Sequence, residues 1–75
     1  MKNYLVIEIQ QMPDGEIANI ATAYEDRDEA ASKFHAILSV AATSTLPCHA
    51  ATWLNADGSL VDWKCFRHAQ PATTE

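Results

Sequence analysis

At 75 residues the chain is long enough for one domain, and a domain of this size buries only about 60% of its unfolded surface. Ten acidic against five basic residues give a formal net charge of −5, which argues against direct binding of nucleic acid through phosphate neutralisation. No apolar run approaches the roughly 18 residues of a membrane span, and Met1-Lys2-Asn3 passes straight into a strand pattern, so a soluble cytoplasmic protein with reduced thiols is expected.

From Lys2 to Gln10 the large apolar residues Leu5, Ile7 and Ile9 alternate with a mixed set, the period-two signature of a strand with one buried face. Met12-Pro13-Asp14-Gly15 supplies a turn, and Glu16 to Tyr24 reads as the return strand, its inward face left ambiguous by several alanines. Asp26 and Glu29 have capping-box spacing, and Asp28 and Glu29 suit the positive end of a helix dipole. Ala30, Phe34, Ile37, Leu38 and Ala41 then recur at three- and four-residue intervals, one apolar helical stripe. The helix fades near Thr43-Ser44-Thr45, and Pro47 forbids its continuation. His49 to Asn55 and Leu60 to Arg67 read as two further strands, joined at Asp57-Gly58.

The order hairpin, helix, hairpin predicts an α+β fold of ββαββ type: a four-stranded antiparallel sheet with one helix packed on one face. A single domain over residues 1–69 is expected, followed by a disordered tail over 70–75. One helix shelters one face of such a sheet, and the other is ordinarily polar. Here it is not uniformly so. With Leu5, Ile7 and Ile9 turned toward the helix, Tyr4, Val6, Leu60 and Phe66 face away as an apolar patch, and such patches mark interaction surfaces. Trp63 is expected under the helix, with Trp53 as a candidate for the partner-facing side.

Candidate chemistry is sparse. Cys48, His49, Cys65 and His68 lack the paired spacing of a structural zinc site, so no metal is expected. A Cys48–Cys65 disulfide is disfavoured in a cytoplasmic protein, and His35 reads as a boundary residue packed on its ring. Both glycines lie in turns, which leaves no phosphate-binding loop. Without a convergent acid, base and nucleophile, no enzyme and no cofactor are expected.

The stretch Glu29-Ala30-Ala31-Ser32-Lys33-Phe34-His35-Ala36-Ile37-Leu38 is followed by Val40-Ala41-Ala42-Thr43-Ser44 and Pro47-Cys48-His49-Ala50-Ala51. Together with the opening Tyr4-Leu5-Val6-Ile7-Glu8-Ile9-Gln10, it resembles a group of small uncharacterised proteins encoded by phages and prophages of Gram-positive bacteria. The resemblance spans most of the chain, offers no catalytic motif to transfer, and implies a phage-type product acting inside a bacterium.

These readings lead to an acidic, homo-oligomeric protein-binding module. Its sharper form is an inhibitor of a bacterial defence system, of anti-CRISPR type, acting by steric blocking. The interface candidates are Tyr4, Val6, Trp53, Leu60 and Phe66. The acidic cluster Glu25, Asp26, Asp28 and Glu29 would steer it toward a partner with a basic surface. The alternatives are a virion or assembly component, and a nucleotide-binding sponge with a pocket between subunits.

Overall fold

The computed structural model describes residues 1–70. Its elements run β1 (Tyr4–Gln11), β2 (Ile17–Tyr24), α1 (Arg27–Thr43), β3 (Cys48–Asn55) and β4 (Leu60–Arg67). The four strands form one antiparallel sheet in the order β2-β1-β3-β4, and the fold is the expected α+β ββαββ arrangement. The helix carries the chain from the edge strand β2 to β3, so that the first strands of the two hairpins lie side by side at the centre.

Both hairpin loops are built alike. Gly15 N–H donates to the Met12 carbonyl at 2.9 Å and Met12 N–H to the Glu16 carbonyl at 2.7 Å. In the second loop Gly58 N–H reaches the Asn55 carbonyl at 2.9 Å and Asn55 N–H reaches the Ser59 carbonyl at 2.8 Å. This is the three-residue loop closed by a glycine bulge, and among the described residues only Gly15 and Gly58 take positive φ, 92° and 89°. The aspartates act through their side chains: Asp14 Oδ1 accepts from Glu16 N–H at 2.9 Å, and Asp57 Oδ1 from Ser59 N–H at 3.0 Å. The Ser59 hydroxyl also donates to Asp57, and these bonds hold the Asp57 carboxyl below its ordinary range.

Helix α1 begins at Asp26, which occupies the N-cap position without making a side-chain cap bond. The capping box read from the Asp26–Glu29 spacing is therefore not formed, and what remains is the charge of Asp28 and Glu29 in the first turn. At the other end, His68 Nε2 donates to the Ala41 carbonyl at 2.8 Å, tying the last turn to the segment after β4. Buried Ala30, Phe34, Ile37 and Ala41 form the inward stripe of α1. Phe34 and Ile37 pack with Val6, Ala51 and Trp53, over β3 and β1. Strand β2 stands largely beyond the helix, and Ile20, on the helix side of the sheet, is exposed.

The C-terminal boundary differs slightly from expectation. Gln70, placed in the tail by sequence, donates through Nε2 to the Thr45 and His68 carbonyls at 3.2 and 3.1 Å. The rest of the expected tail, 71–75, lies outside the described residues.

Candidate interaction surface

The pairing registers assign every strand residue to a face. Val6 pairs with Thr22 on one side and Trp53 on the other, and this row lies beneath the helix. The rows of opposite parity form the uncovered face. Leu5 stands between Ala23 and Leu54, with Leu60 beyond, and Ile7 between Ala21 and Thr52, with Trp63 beyond. Ile9 stands between Asn19 and Ala50, with Cys65 beyond, and Gln11 between Ile17 and Cys48, with Arg67 beyond. Arg67, at one corner, is the only charged residue in these four rows. The covered face, by contrast, holds Glu8, Asp62 and Lys64. The face left without a helix is the more apolar of the two.

This inverts the parity expected from the sequence. Leu5, Ile7 and Ile9 turn away from α1, while Val6 is 1% exposed and Trp53 6% exposed beneath it. Val6 and Trp53 are thus core residues and not interface candidates. Tyr4 borders the same core, with its ring 6.3 Å from that of Trp53. Phe66 pairs with buried His49 on the covered side, where its ring stacks on His68 at 6.4 Å and lies under Lys64 Nζ at 5.1 Å. Trp63, expected under the helix, is 57% exposed on the open face. Of the apolar candidates, Leu60 alone lies on the open face and is exposed.

A bulge explains how Leu60 and Trp63, three residues apart, share a face. The β3–β4 register slips between Trp53 and Leu54: Trp53 pairs with Asp62, but Leu54 pairs with Leu60. Val61 is the extra residue and packs against the core.

The acidic candidates Glu25, Asp26, Asp28 and Glu29 are all exposed around the start of α1. Glu25 Oε1 sits 3.0 Å from the Met1 amino group, so part of its charge is met locally. Arg27 lies within the cluster and places its guanidinium 5.0 Å from the centre of the Trp53 ring.

Two groups of reactive side chains lie elsewhere on the sheet. On the open face, Cys48 Sγ and Cys65 Sγ approach to 2.8 Å across β3 and β4. The hydrogen bond that the Cys65 thiol donates to Cys48, reinforced by burial, pushes the Cys65 thiol above its ordinary value of 9.0. Beneath the helix edge, His49 Nε2 meets Glu8 Oε2 at 2.7 Å, and Gln10 Nε2 donates to the same oxygen at 3.0 Å. Burial opposes ionisation of Glu8, but the bonds from His49 and Gln10, with help from the positive field of Lys33, outweigh it and hold the carboxyl below 4.5. His35 is exposed, with its ring centre 5.4 Å from that of Phe34. Among the described residues no three His, Cys, Asp or Glu side chains converge as a metal site would require.

Sequence reasoning missed half-buried Leu5, Ile7, Ile9 and Leu54 and exposed Trp63 as residues of the open face. The signal was present: one face of β1 is greasier than the other, and that is the face left open. Comparison with protein families, with curated proteins and with solved structures finds no match to this chain.

Proposed function

We propose that this chain is a small non-enzymatic protein-binding module, which acts by contact and not by chemistry, and whose main contact surface is the uncovered sheet face. The supporting observation is the inversion of polarity: the solvent side of the sheet carries one charged residue, and the side under the helix carries three. A half-covered antiparallel sheet on a free-standing protein shows the opposite pattern. Contiguous exposed apolar surface on a soluble fold marks a place where another body binds.

The sharper form of this reading follows the resemblance to phage proteins. The exposed acids Glu25, Asp26, Asp28 and Glu29 steer the module toward a basic surface of a bacterial defence protein, which it then covers. Two variants test the reading: Trp63→Glu on the open face, and lysine at all four acidic positions. Affinity capture from a bacterial lysate should lose its specific partners with one or both, while circular dichroism confirms that each variant folds. Identical captured proteins with wild type and both variants would overturn the reading. For the sharper form, plaque counts on a CRISPR-immune host should rise when the chain is expressed; unchanged counts would remove the inhibitory role.

A further inference from the structure

We infer that the uncovered face is occupied by a second copy of this chain, packed sheet on sheet about a two-fold axis with the helices outermost. The inference rests on the reading of that face as a contact surface, and commits it to one partner.

Three properties of the face select a copy of itself. The first is size. Four eight-residue strands, spaced about 4.8 Å apart and rising about 3.3 Å per residue, make a footprint of about 500 Å². Two such faces remove about 1,000 Å² from water before side-chain relief is counted, the lower bound for a specific interface.

The second is charge. A chain of net charge −5 repels its own copies unless they meet where the acids are absent. None of the described acidic residues lies on the open face, and its single cation, Arg67, is at a corner where it stays at the rim. A basic partner would find nothing to pair with there. An identical face, equally free of charge, leaves no ion unpaired.

The third is relief. Leu5, Ile7 and Ile9 form a ridge along β1, with Ala21 and Ala23 on the β2 side and Ala50 and Thr52 on the β3 side, where Leu54 closes the trough at one end. A two-fold axis sets the ridge of each copy into a trough of small residues on the other, the interlocking required of an isologous contact. Sheets packed this way lie about 10 Å apart, with strand directions within about 30° of each other.

The two tryptophans make the test direct, because they lie on opposite faces. Trp63 and Leu60 are 57% and 54% exposed in the lone protomer, so replacing either leaves its core intact. Sedimentation equilibrium over 1 µM to 1 mM should show a dimer of the wild type. Trp63→Glu and Leu60→Glu should each weaken dimerisation about 100-fold or more, through two like charges brought into an apolar contact. Val40→Glu, on the outer surface of the helix at 60% exposure, should leave it unchanged. In a Trp53→Phe background, Trp63 emission should shift to the red as the dimer is diluted.

A wild type that stays monomeric at 1 mM would overturn the inference. So would a dimer that both glutamate variants leave intact, which would place the contact on the β2 or β4 edge. If the chain is monomeric but Trp63→Glu still abolishes capture of another protein, the contact-surface reading survives and only the second copy is rejected. If the face affects neither, both fall.

Discussion

Glu8 and His49 form a largely buried polar contact: their side chains are 16% and 3% exposed, and among the described residues His49 Nδ1 finds no hydrogen-bond partner. Because the fold holds the Glu8 carboxyl below its ordinary value, ionised Glu8 favours the folded state. That contribution is fully present above about pH 4.5 and disappears as pH falls through the lowered folded value. Urea unfolding across pH 2.5–7 should therefore show a loss of stability at the acid end that Glu8→Gln makes shallower. Glu8→Ala, which strips His49 Nε2 of its carboxylate, should cost about 1–3 kcal/mol at pH 7. At the cysteine pair, the raised Cys65 thiol leaves little thiolate at neutral pH, so alkylation should be slower than for a free cysteine. Cys48→Ala removes the hydrogen bond that does most of the raising and should speed Cys65 labelling, as followed by mass spectrometry.

At the scale of the elements, the helix depends on its buried stripe far more than on its ends. Phe34 is 1% exposed, with its ring centre 5.8 Å from that of Trp53. Phe34→Ala should cost about 3–5 kcal/mol, comparable to what the whole core of so small a domain supplies, and should abolish a cooperative melt. Asp26→Ala, at an N-cap with no side-chain bond, should cost less than the roughly 1 kcal/mol of a bonded cap. The elements themselves were legible from sequence: alternation marks β1, the Ala30–Ala41 stripe marks α1, Pro47 marks its limit, and Asp-Gly marks both loops. The faces were not. A rule that buries the greasier side of β1 turns Leu5, Ile7 and Ile9 inward, but the helix instead covers Val6, where Trp53 supplies the bulk from the neighbouring strand. The bulge at Val61 has no marker in the sequence, since neither glycine nor any other turn residue announces it; Leu60 lies on the open face as expected, but the bulge puts Trp63 on that face with it and Phe66 on the other.

For the whole molecule, the hydrophobic rule fails within one protomer and would hold for the proposed two. In the proposed pair, Leu5, Ile7 and Ile9 are interior residues, as their period-two recurrence leads one to expect. An association driven by apolar contact should respond weakly to sodium chloride, strengthen in ammonium sulfate and loosen on cooling. Sedimentation in each condition tests this, and a steep weakening by sodium chloride would point to ion pairing instead.

The near absence of charge on the open face also has a consequence for dosage. If two chains must meet to hide that surface, the amount of paired protein grows with the square of the free protomer concentration, so small amounts of product leave nearly every molecule with its grease in water. Such molecules are prey for proteases and for one another's edges. A cell would therefore hold almost none of the working protein until synthesis passed a threshold, and above it the protein would persist.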